Sequence, residues 1–262
     1  MFCPQGITDI VHHMHPGDSA AEDSTASPSG SPLSDEDIIL WLGQARYERY
    51  LRVAHTKELA LALYSWNANV AALALTEVWH LEVAIRNIYH RLLSNEFGNW
   101  TTSESRLWRI RVGPRQRQEA QSEQNRKSLD SLAQARIGSR GNPDQIIAHT
   151  SLGFWCSLTD PHREPILWTG RLQFAYPPGT ARGPVHRLAQ SVLTFRNRLS
   201  HNEPVFSTSI YLADNIRQVR TLHALLLPAT SNWTARQTNL TQLVEQCPIR
   251  GIIQWPTLLR RG

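Results

Sequence analysis

From Thr56 to Phe97 the chain runs without a glycine or proline and is rich in alanine and leucine. Both residues favour helix and no breaker interrupts them, so the stretch predicts one long helix or two helices meeting near Ser65 to Asn67, stopped by Gly98. An apolar helix of that length must bury itself against other elements. The rest of the sequence offers helices for the purpose and no β-alternating run. Ser34 can cap a helix opened by Asp35, Glu36 and Asp37, three acids suited to its positive end, running to about Val53. Further helices are predicted over about 114–137, from about Asp144, over about 185–202 and over about 209–227. Turns rich in Gly and Pro separate them (GSRGNP, PPGTARGP). The expected fold is all-α, a helical bundle with additional helices. Trp66, Trp155 and Trp168 are read as core residues, because large aromatics are usually buried.

Residues 16–32 (PGDSAAEDSTASPSGSP) are small, polar or turn-forming. Such a stretch cannot bury enough apolar area to offset chain entropy, so residues 1–33 read as a disordered acidic tail and 34–262 as a single helical domain. The tail holds Asp9, Asp18, Glu22 and Asp23 and neither Lys nor Arg, so 18 acids face all 27 cations in the remainder, a formal +9. Twenty-five of those cations are arginine, whose planar fork suits phosphate, which puts nucleic acid among the candidate partners. The densest basic cluster is Arg106, Arg109, Arg111, Arg115, Arg117, Arg126 and Lys127, either a phosphate track or a solvated helix face. Cys3, Cys156 and Cys247 are too far apart for a disulfide framework or a zinc motif. His12, His13 and His15 could join Cys3 around a metal, but no second cluster completes a site. The start carries no secretory pattern, and no run approaches the ~18 uninterrupted apolar residues of a membrane span. A cytoplasmic protein with no membrane association is expected.

The segment VHRLAQSVLTFRNRLSHNEP is the most informative. At 100° per residue Leu188, Val192, Phe195 and Leu199 form a core stripe, while Arg196, Asn197 and His201 span about 140° on the other side and can face one cleft. Pro204 disfavours helix at Glu203, so the helix should end at about Asn202 with His201 in its last turn. An exposed Arg and His so placed suit charge stabilisation and proton transfer. Arg and His with four to six residues between them occur three times, at Arg49 to His55, Arg196 to His201 and Arg217 to His223, and about three matches are expected by chance. Only the middle one closes a helix with a clean apolar stripe, and the other two read as ordinary surface residues.

Four blocks occur in order between about Arg46 and Phe206: LYSWNANVAALALTEVWHLEVAIRN, IIAHTSLGFWCSL, ILWTGRLQFAYP and RNRLSHNEPVF. Together they resemble the Abi-like (abortive infection) family of bacterial HEPN-domain proteins, whose pattern runs from an LY-WN helix ending in E-x-x-x-R-N, through GFW and LW-x-x-x-L-x-x-F-x-P, to RNR-x-x-H-x-E-P. The resemblance implies a HEPN-type helical bundle that acts as a homodimer. It also implies a metal-independent endoribonuclease serving as a toxin in phage defence or a toxin–antitoxin pair. On matching positions Arg196 and His201 become the catalytic pair and Asn197 their polar helper. Glu82, Arg86 and Asn87, with Arg198, Asn202 and Glu203, become supporting or RNA-binding residues. Where many relatives carry a second histidine this chain has Asn202. RNA substrate, a second copy and a protein or RNA antitoxin are the implied partners, and no cofactor or metal is expected.

The alternative is a catalytically silent HEPN module that holds RNA or a partner. A helical DNA-binding regulator has only the Arg106 to Lys127 cluster in its favour. Other enzyme classes lack their marks: there is no GxxxxGK[ST], HExxH, GxSxG or paired CxxC.

Overall fold

The computed structural model describes residues 33–206 and 211–253. The predicted tail and the Cys3, His12, His13, His15 group lie almost wholly outside them. Backbone proximity separates a unit ending at Gln44 from one beginning at Ala45. In the first, α1 (Asp35–Leu42) starts with a full capping box: the Ser34 hydroxyl accepts from the Asp37 N–H and the Asp37 carboxylate accepts from the Ser34 N–H. The single helix predicted to Val53 breaks at Gly43, whose φ of +78° is open to glycine and strained for other residues. The chain resumes as α2 (Gln44–Ala54).

Among the described residues there is no strand, and the larger unit is built round α3 (Lys57–Phe97). At 41 residues it spans about 60 Å. Of the two sequence readings, the unbroken helix is the correct one. Asn67 does not break it, because its side chain bonds to a distant segment instead of competing for its own backbone. The neighbouring Trp66 indole donates to the Leu243 carbonyl at 2.7 Å. Thr56 caps the start and Gly98, at φ +61°, ends it. By length and composition alone α3 could cross a membrane. Here it is the common wall for the later helices, with Asn67, Glu77 and Glu82 among its buried positions.

After α3 come α4 (Arg115–Ile137), α5 (Pro143–Ala148) and α6 (Leu152–Ser157), then short irregular turns through Tyr176. Trp100, Trp108, Phe154 and Trp155 pack ring to ring at centroid distances of 6.0–6.2 Å around Trp100, and Trp66, Trp155 and Trp168 are all buried. The chain closes with α7 (Arg182–Ser200), α8 (Leu212–Leu226), α9 (Pro228–Gln237) and α10 (Leu240–Glu245). The helix predicted from about Ser209 starts at Leu212, and residues 209–210 lie outside the described set. Both α7 and α8 pack on α3 and on each other, and α6 packs on α7. A bidentate pair from Arg220 to the buried Glu77, at 2.7 and 2.8 Å, ties α8 to α3.

Three histidines in this unit, His90, His186 and His223, titrate below the ordinary value of 6.5, and in each burial is the main cause. His90 accepts from the Trp100 indole, and the nearby Asp144 carboxylate opposes the shift. A histidine whose folded pKa is depressed binds fewer protons folded than unfolded, so stability rises with pH across the window between the two values. Melting temperature is therefore expected to fall when pH drops from 7.5 to 5.5. His223→Gln should flatten that dependence, and an unchanged slope would count against His223 as a contributor.

Candidate active site

On α7 the buried residues are Val185, Ala189, Val192, Phe195 and Leu199, close to the expected stripe but with Ala189 taking the inward place of the half-buried Leu188. Its helical residues end at Ser200, and His201 forms the cap, its N–H donating to the Asn197 carbonyl at 3.1 Å. Arg196 is half-buried, and its guanidinium donates to the Asn197 side chain at 3.1 Å. The His201 ring is exposed and makes no hydrogen bond among the described residues. His201 lies five positions after Arg196, about 7.5 Å along the axis.

What holds this end of α7 is Asn67, which is fully buried. Its carbonyl oxygen accepts from the Val205 N–H at 2.7 Å, and its amide donates to the Asn202 side chain at 2.9 Å and more weakly to the Glu203 carbonyl at 3.4 Å. Asn202 has a φ of +49°, a left-handed conformation that Asn tolerates better than most residues, and its N–H donates to the Leu199 carbonyl. Asn202 is therefore spent on shaping the turn. Glu203 donates its N–H to the Arg198 carbonyl, and its carboxylate lies 4.0 Å from the Arg198 guanidinium. The Tyr50 ring of α2 packs edge-on against Phe206 at 5.4 Å, and Arg46 donates to the His201 carbonyl at 3.3 Å.

On α3, Glu82 and Arg86 form the expected i,i+4 pair at 3.0 Å, largely buried, while Asn87 is exposed. The Arg86 Nε is buried without a hydrogen bond. The thiol of Cys156, on α6 between these helices, is pushed up to about 12, chiefly by burial. Glu82 raises it further and Arg196 opposes the rise, so both charges act on this one sulfur.

The remaining expectations divide. Arg217 pairs with Asp214 at 2.7 Å, but His223, read from sequence as a surface residue, is buried and reaches Thr230. Its position on α8 faces inward with Val219 and Leu222. The dense basic cluster is partly neutralised: Arg106 meets Glu96, Arg115 meets Glu119, and Arg126 meets both Glu123 and Asp130, while Arg109, Arg111 and Arg117 have no ion pair among the described residues. Hydrogen bonding from Arg126 holds the Glu123 carboxyl down to about 2. Among the described residues no group of three or more metal-ligating side chains gathers. The residue that sequence reading passed over is Asn67, although it stands in the quoted LYSWN block. An amide in the middle of an otherwise apolar helix was the available signal.

No protein-family model, curated protein or solved structure matches this chain.

Proposed function

We propose that this chain is a metal-independent endoribonuclease of the HEPN type, acting as a toxin in phage defence or in a toxin–antitoxin pair. The observation that carries the reading is the uncommitted pair on α7. The Arg196 guanidinium bonds only to Asn197 and the His201 ring to nothing, among the described residues, while the turn beneath them is fixed by a buried asparagine. Rigid backbone beneath free functional groups is what a catalytic constellation requires. The four sequence blocks add the resemblance to Abi-like proteins.

The chemistry is attack of an RNA 2′-oxygen on the adjacent phosphorus. A histidine takes the 2′-hydroxyl proton, the O2′–P bond forms, the P–O5′ bond breaks, and an acid returns a proton to the departing 5′-oxygen. The Arg196 guanidinium balances charge building on the phosphoryl oxygens. One His201 cannot stand on both sides of one phosphate, so base and acid come from two copies of the chain across a homodimer. Purified protein incubated with total RNA should leave 2′,3′-cyclic phosphate and 5′-hydroxyl ends, and light scattering should give a dimer mass. RNA that is bound but left intact would make the chain an RNA-holding module instead, and a monomer that cleaves would end the two-copy arrangement.

A further inference from the structure

The ribonuclease reading leaves open how a strand reaches His201. We propose that the exposed face of α2, carrying Arg46, Arg49 and Arg52, is the phosphate track that leads single-stranded RNA to the His201 turn. The assignment rests on that reading and on a contrast between two basic surfaces. The basic cluster of α4 looks the stronger in sequence, but two of its arginines, Arg115 and Arg126, are held by Glu119, Glu123 and Asp130 on the same helix, and Arg136 donates to the Thr101 carbonyl. On α2 three arginines stand against one acid, Glu48. All three are exposed, and Arg49 and Arg52 have no ion-pair partner among the described residues.

Position supplies the second argument. Arg46 already reaches the site, donating to the His201 carbonyl at 3.3 Å, and Tyr50 on the same helix packs on Phe206 just beyond the turn. One N–H of the Arg46 guanidinium makes that bond, which leaves donors for a phosphate beside His201. From Arg46 the charges step outward to Arg49 and Arg52, covering about 9 Å along the helix axis, room for two or three phosphates. In-line attack needs O2′, P and O5′ in one line, which stacked A-form geometry does not allow, so the strand at the site is single.

The test measures binding of a labelled 2′-O-methyl RNA oligonucleotide, which cannot be cleaved because its 2′-oxygen is blocked, across a salt series. Compared are the full wild-type chain, Arg49→Gln/Arg52→Gln on α2 and the charge-matched Arg115→Gln/Arg126→Gln on α4. All substituted side chains are exposed, so melting temperatures should match. Losing two phosphate contacts should flatten the plot of log K against log salt by about 1.4 and weaken binding roughly tenfold near physiological salt in the α2 variant. The α4 variant should keep the wild-type slope. Equal losses in both variants, a larger loss on α4, or no loss on α2 overturns the track and leaves the ribonuclease reading standing. Binding through α2 by a wild type that leaves natural RNA uncut keeps the track and removes the ribonuclease. A wild type that binds no oligonucleotide removes both.

Discussion

His201→Ala is expected to lower RNA cleavage by about 10²–10⁴-fold, the usual contribution of a positioned proton-transfer group. Fold should be untouched. The ring is exposed and bonds to nothing among the described residues, so stability should stay within about 0.5 kcal/mol of wild type by thermal melting. Arg196→Ala should lose activity on a similar scale. Arg196→Lys separates its two contributions, since lysine keeps the charge and loses the planar fork, and should recover only part of the rate. The double variant His201→Ala/Arg196→Ala should be little worse than either single one, because residues that act as a unit are not additive. In cells, growth arrest caused by wild type should vanish in both single variants. Cleavage retained within a few-fold in His201→Ala would mean that the histidine is only a helix cap, and the silent-module reading would then hold.

Much of the bundle was legible because helix signals here are local. The absence of breakers from Thr56 to Phe97, the Ser34 cap and the apolar stripe of α7 each operate within a few turns, and each is found in the structure. The misses are of another kind. Gly43 divides a predicted single helix because one residue at positive φ costs glycine little, which periodicity cannot reveal. Helices α9 and α10 are only ten and six residues long, too short for a pattern to stand out. The spacing of His223 from Arg217 says nothing of burial, and it is the inward register with Val219 and Leu222 on α8 that buries the ring. The same limit governs the basic surfaces. Composition points to the Arg106 to Lys127 cluster for its number of arginines, whereas which of them are already paired depends on side-chain geometry. For the candidate site, the sequence singles out Arg196 and His201 but not the Asn67 hydrogen bonds beneath them.

That support gives the second large effect. Asn67→Ala removes three hydrogen bonds at once and leaves the Val205 N–H without a partner at a position where Val205 is 1% exposed. An orphaned buried group costs about 1–3 kcal/mol, and the lost side-chain volume adds to it, so a total of about 3 kcal/mol is expected. For a domain of this size that is roughly a 6–12 °C fall in melting temperature. Asn67→Asp gives a sharper test. It keeps an acceptor for the Val205 N–H but sets carboxylate oxygen against the Asn202 side-chain oxygen and the Glu203 carbonyl, and it buries a charge. It should be at least as destabilising as alanine although it is nearly the same shape. If instead Asn67→Asp melts close to wild type, the donor side of Asn67 contributes nothing to the turn. Cleavage gives an independent readout. Asn67 touches no substrate, so the Asn67→Ala chain, assayed well below its melting temperature, should keep the wild-type pH profile while losing rate as the turn loosens. A changed pH profile would mean that the amide acts on the chemistry itself; an unchanged rate would mean that the α7 end holds its shape without it, and that the uncommitted Arg196 and His201 owe their placement to α7 alone.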